Sequence, residues 1–322
     1  MSKKIFIPTN PDAQQCVKNV LKYFSEISGD RVITGQHTQT FAMEELHHIK
    51  SITGKEPALL GFELLGYSPN INYFDTDDEC IKEVVENYGT LKRAWEWAEK
   101  KGLITFTWHW FSPVGGRSKS FFTENTDFDA AKAITEGTAE NKALISDMDY
   151  MAGLLRPFCD RGIPILWRPF HEGDGNWFWW GVKGPEVVKA LWRIMYKRFT
   201  EIHSLNNLIW VWNTAVPECY PGDDVTDIIS RDMYPKPNDH TAHEKEYDEL
   251  TRITTQDKIA LIGEIGTLPD IDEIHKKGIG WSSFMTWSKG YAMSEDFTSF
   301  EYLKKLYSSE YALTKDKLPE LY

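Results

Sequence analysis

The sequence predicts an α/β fold, a single-domain (β/α)8 TIM barrel over residues 1–322, on three observations. Eight short apolar or β-branched runs recur along the chain. Most lead through a polar or glycine-containing loop into a segment of helical periodicity, and the runs are continuous rather than alternating. Strands covered on both faces read this way, so the pattern fits a closed parallel barrel better than an antiparallel sandwich. The runs span residues 31–288, close to the ~250 residues of a typical barrel.

In chain order, a helix at about 11–28 leads into RVITGQ (31–36), the first strand. PALLGFELL (57–65) is the second. Segment 79–101 then carries apolar residues three and four apart with charges opposite, which predicts one amphipathic helix, with Trp95 and Trp97 as packing residues. LITFTWHW (103–110) is the third strand, and the polar stretch 111–137 after it should overhang the barrel mouth. A helix over 138–161 precedes PILWRPF (164–170), and one over 185–203 precedes NLIWVWNT (207–214). DIISRDMY (227–234) follows so soon that a turn or a single helical turn, rather than a full crossover helix, fits between the fifth and sixth strands. IALIGEIG (259–266) and GWSSFMTWS (280–288) complete the set.

The totals narrow the function. Hydrophobic residues make up 41% of the chain and charged ones 26%, with no apolar stretch of membrane-spanning length. The net charge of −12 opposes nucleic-acid binding. Cys16, Cys80, Cys159 and Cys219 are too dispersed for a zinc site or a disulfide scaffold and are read as free thiols. MSKKIFIPTNPDAQQ lacks a signal-peptide core, so the chain as given is expected in the cytoplasm, or outside the cell if a leader has been removed. Aromatic content is high at 14%, with 13 Trp, several of them at strand ends. That placement suggests a binding surface.

In a parallel barrel the reacting groups come from the C-terminal ends of the strands. Gln36, His37, Glu63, His109, His171, Glu172, Asn213, Asp232, Tyr234, Glu264 and Trp287 all fall there. A single Glu in such a place is most simply a salt-bridge partner, for example of Arg168. Two, Glu172 and Glu264, ending apolar runs three βα units apart, point instead to opposed carboxylates. With aromatic walls, such a pair suits glycosidic-bond cleavage: one acid protonates the leaving oxygen while one carboxylate attacks the anomeric carbon. A short gap of about 5–5.5 Å between them predicts retention through a covalent intermediate. His47 and His48 are read as packed or solvated, and the first strand lacks His-x-His spacing. No metal or cofactor is expected.

RPFHEGDGNWFWWG (168–181), with ITGQHT (33–38), TFTWHW (105–110), YPGDDVTDIISRDMYP (220–235) and GEIG (263–266), resembles glycoside hydrolase family 26, the β-mannanase family of retaining (β/α)8 glycosidases. The resemblance implies Glu172 as acid/base and Glu264 as nucleophile. It implies substrate contacts from His109, His171, Trp177 and Tyr234, with Trp287 as the aromatic floor. By the same resemblance the substrate is β-1,4-linked mannan, glucomannan or manno-oligosaccharide. A relative acting on mixed-linkage glucan or β-1,3-xylan, or a non-catalytic carbohydrate-binding barrel, remains the alternative. Asp174 departs from the pattern: many members carry Asn two residues after the acid/base. Adjacent rings cannot all face one ligand, so of the run Trp177–Trp180 only Trp177 is expected on substrate.

Overall fold

The computed structural model describes residues 6–39 and 42–322. Its eight main strands are β1 (Val32–Thr38), β2 (Leu59–Glu63), β3 (Leu103–Thr107), β4 (Ile165–Arg168), β5 (Leu208–Asn213), β6 (Ile228–Met233), β7 (Ile259–Ile265) and β8 (Trp281–Thr286), each inside an expected run except β1, which continues two residues past 36 and takes in His37. All neighbours pair in parallel, and β1 pairs with both β8 and β2, which closes the ring. A short ninth strand, β9 (Ala312–Leu313), pairs with the first residues of β1, below the point where β2 joins it.

The interior has two levels. The lower level is apolar: Ile33, Leu103, Leu166, Ile209, Ile228 and Ile259 form one cluster with Val17, Val20, Leu21 and Phe24 of helix Gln15–Ile27, which plugs the N-terminal end. Above it lies a small internal cavity with a mixed lining, Leu59, Leu166, Val211 and Met285 together with His37, Thr107, Arg168 and Ser230. The enclosed polar groups bond to one another and to the strand backbone, His37 to Thr107 and Ser230 to the Trp212 carbonyl. A second, larger apolar layer lies between the strands and the outer helices.

Two expectations need correction. The helix expected over 79–101 is two helices, Asp78–Glu86 and Thr90–Glu99, because Gly89 adopts φ 81° between them and stops the first. The helix expected over 185–203 ends at Lys197 and finishes in a π-turn, Arg198–Ile202. Elsewhere, Ala139–Arg161 forms the long helix ahead of β4, and the segment between β5 and β6 is irregular apart from the single helical turn Pro217–Cys219. Trp97 is a packing residue: it is buried, and its indole N–H donates to the Leu103 carbonyl. The four cysteines are buried free thiols.

Candidate active site

The site begins with a backbone turn. After Arg168 ends β4, Phe170 and Glu172 both adopt φ 51°, left-handed conformations on either side of His171. Such residues store strain and persist where their surroundings hold them. Here the Glu172 N–H donates to Oδ1 of Asn213, at the end of β5, at 2.8 Å. Glu172 therefore stands on the loop beyond β4 rather than on the strand tip itself.

Glu264 lies inside β7 and is buried. The β6–β7 register slips between Arg231 and Asp232, so that Asp232 faces Glu264 and Gly263 is skipped. A Cβ at residue 263 would lie 2.5 Å from Asp232 Oδ1 and 2.7 Å from Asn213 Nδ2, so this close approach needs glycine. The bulge brings two carboxylates together on adjacent strands.

Arg168 makes that juxtaposition tolerable. Arg168 is 3% exposed, and its guanidinium donates from Nη1 to both Asp232 oxygens at 2.9 and 3.2 Å, and from Nη2 to Glu264 Oε1. Tyr234 donates its hydroxyl to Glu264 Oε2 at 2.6 Å, and Asn213 Nδ2 donates to Asp232 at 2.8 Å. Carboxylate oxygens of Glu172, Asp232 and Glu264 lie within 4.8 Å of one another, a set that could also hold a cation. The positive charge beside them is the guanidinium, already bonded to two of the three.

Three carboxyls around one cation cannot all be charged without strong repulsion, so they titrate as one unit. Burial first and Asp232 second push Glu172 up to about 7. The same two causes push Glu264 up to about 8. The partners decide where the retained proton sits: Glu264 touches a guanidinium and accepts from a phenol, whereas Glu172 accepts from the neutral indole N–H of Trp177 at 2.8 Å. Negative charge belongs on Glu264 and the proton on Glu172. Burial, then the Glu264 charge, hold the Tyr234 phenol protonated and donating.

A histidine pair forms a second wall. Burial works against charge on His109, but Glu63, 2.7 Å from Nδ1, more than offsets it and raises the pKa. Burial, then His109 and Arg168, hold His171 well below the usual histidine range. With the two Nε2 atoms 3.3 Å apart, His109 is the donor and His171 the acceptor, which leaves the His171 proton on Nδ1. That atom has no partner among the described residues. Trp287 stacks on His37 with ring centroids 4.2 Å apart and lies 6.2 Å from the His109 ring.

The aromatic run divides as expected. Trp177 is 43% exposed while Phe178, Trp179 and Trp180 are buried. The indole of Trp179 donates to the Trp110 carbonyl and that of Trp180 to the His171 carbonyl. The loop after β3 clamps this run: Phe122 bridges to Phe178, the Thr123 N–H donates to the Trp177 carbonyl and the Trp179 N–H to that of Phe121. On the Glu172 side an open groove of about 680 Å³ runs past Asp174 and Trp177 toward Arg231 and Glu249.

Of the seven residues that the resemblance implicates, Glu172 and Glu264 belong to the carboxyl cluster, Trp177 and Tyr234 bond to them, His109 and His171 bond to each other, and Trp287 lies beside His109. Sequence reading named Arg168 only as a possible salt-bridge partner, and its central place was missed. The available signal was an arginine inside an otherwise apolar strand, which must meet buried anions.

Comparison with known proteins places the chain in a family. A family profile, Glycosyl hydrolase family 26, matches residues 9–317. The chain is 33% identical over 96% of its length to a mannan endo-1,4-beta-mannosidase of Thermothelomyces thermophilus, covering 62% of that protein. It is 29% identical over 96% of its length to mannan endo-1,4-beta-mannosidase A of Piromyces sp, covering 50% of it. The chain thus spans less than two thirds of these relatives. Among solved structures, a β-mannanase from a symbiotic protist of the termite Reticulitermes speratus, complexed with gluco-manno-oligosaccharide, aligns at TM-score 0.87 and 30% identity over 98% of both chains. The Podospora anserina GH26-CBM35 beta-(1,4)-mannanase aligns at TM-score 0.86 and 33% identity, over 98% of this chain and 69% of that one.

Proposed function

Because the chain belongs to glycosyl hydrolase family 26, we propose that it is a retaining glycosidase cleaving β-1,4-mannosidic bonds in mannan, glucomannan or manno-oligosaccharides, with Glu172 as acid/base and Glu264 as nucleophile. One observation carries the mechanism: carboxylate oxygens of Glu172 and Glu264 lie within 4.8 Å of each other. That is the short separation of retaining enzymes and too narrow for the attacking water of an inverting one.

In the first step Glu264 attacks the anomeric carbon while Glu172 gives its proton to the glycosidic oxygen. Arg168 and Tyr234 hold Glu264 in place, and each of its oxygens keeps a further lone pair for the attack. The Trp177 N–H stabilises the carboxylate that forms on Glu172. In the second step Glu172, now a base, takes a proton from water, which displaces Glu264 and restores the starting configuration. The sugar under attack lies on Trp287 beside His109, His171 and Tyr234. The relatives named mannan endo-1,4-beta-mannosidase support mannan over other β-glycans.

Reducing-sugar release on galactomannan, lichenan and β-1,3-xylan tests the substrate, and activity on lichenan alone would overturn mannan. Glu264→Ala and Glu172→Ala test the roles. Each is expected to lower kcat on mannan by at least about a thousandfold, with Glu172→Ala far less impaired on an aryl mannoside whose leaving group needs no proton. Near-normal hydrolysis by either variant refutes its assignment.

A further inference from the structure

Resting on that reading, we propose that Asp174 is a specificity determinant on the leaving-group side. Its carboxylate accepts hydrogen bonds from hydroxyls of a neutral hexose residue lying against Trp177, and it repels a residue bearing an acid group. The first observation is placement. Asp174 is exposed and lines the same groove as Glu172 and Trp177, so it lies on the side to which Glu172 delivers its proton.

The second observation is partnership. Asp232 is held by Arg168 and Asn213, Glu249 by Arg231, and Glu172 by Trp177. Asp174, the remaining carboxylate of this groove, has no hydrogen-bond or ion-pair partner among the described residues. An ionised carboxylate offers only acceptor sites, and adjacent sugar hydroxyls are a matching pair of donors. The half-exposed indole beside it supplies an apolar face for the C–H side of the ring. Thr214, Ala215 and Val216, at the start of the irregular connection from β5 to β6, form the edge of the groove.

The charge of Asp174 also acts on Glu172, so the test must separate contact from field. Asp174→Ala removes both acceptor and charge; Asp174→Asn removes the charge but keeps an acceptor oxygen. Measured on mannotetraose, each enzyme at its own pH optimum, kcat/KM should fall roughly tenfold or more for Ala and no more than about threefold for Asn. An equal fall in both variants would assign the effect to charge on Glu172 and overturn the contact. No fall in either would overturn it as well. In a second arm, an oligosaccharide carrying a C6 carboxylate on the leaving residue should be cut faster by Asp174→Asn than by the unaltered protein. Equal cutting removes the selection against acids. An unaltered protein inert on every manno-oligosaccharide would instead refute the proposed function.

Discussion

At the scale of single residues, the site rests on holding one proton where three carboxyls compete for it. Sequence alone makes Glu172 and Glu264 legible, because an acid in an apolar run is costly without a purpose. It does not reveal that Arg168 bridges Asp232 and Glu264, since partners two and three strands away leave no local pattern. The pH dependence follows from these contacts. Cleavage needs Glu172 protonated, so kcat/KM should fall as pH rises through about 7. The Trp177 N–H favours the anion and lowers that value. Trp177→Phe keeps a ring but loses the donor, so the alkaline limb should move to higher pH, on the order of half a unit for one hydrogen bond. A pH profile of kcat/KM whose limb stays put or moves down would show that this bond does not set the acid.

At the scale of elements, the loop after β3 and the loop after β4 act as one piece. Phe178 stacks on Trp180 at 4.4 Å and on Phe122 at 5.6 Å, and presents an edge to His109 and a tilted face to His171. Replacing it with Ala should cost about 3–5 kcal/mol through the cavity left behind. It should also lower kcat on mannan, because Trp177 and both histidines lose their backing. Thermal unfolding and kinetics on the same variant check this: a large drop in Tm with unchanged kcat would mean the clamp does not position the site. The strands were legible because burial on both faces writes an unbroken apolar run. The clamp was not, although the length and polarity of 111–137 marked an overhanging loop. It holds the Trp-rich run by backbone hydrogen bonds, which carry no side-chain signature, and by ring contacts of Phe121, Phe122 and Phe128, whose partners are distant in the chain. The break at Gly89 was missed for a related reason: the apolar spacing continues across it, and only the left-handed backbone stops the helix.

At the scale of the molecule, everything at the mouth depends on the ring being closed. The seam between β1 and β2 is the place to test this, because β2 pairs with β1 only from Gly35 onward and β9 occupies the stretch below. Leu313 is buried in the plug cluster, and its carbonyl accepts from Thr34 Oγ1 at 2.9 Å. Lys315, a little further on, lies over the Trp97 ring at 4.0 Å and pairs with Glu56 nearer the surface. If the seam is integral to the barrel, Leu313→Ala should lower the stability of the whole protein by about 2–5 kcal/mol. Lys315→Ala should cost no more than about 1 kcal/mol, the scale of a partly exposed ion pair with a cation–π contact. Thermal unfolding followed by both far-UV circular dichroism and tryptophan fluorescence distinguishes the two outcomes. A joint downward shift of both signals for Leu313→Ala places β9 within the cooperative barrel. A midpoint equal to that of Lys315→Ala would make β9 a peripheral strand, and His37 and Glu63, on the strands flanking the seam, would then owe their positions to β1 and β2 alone.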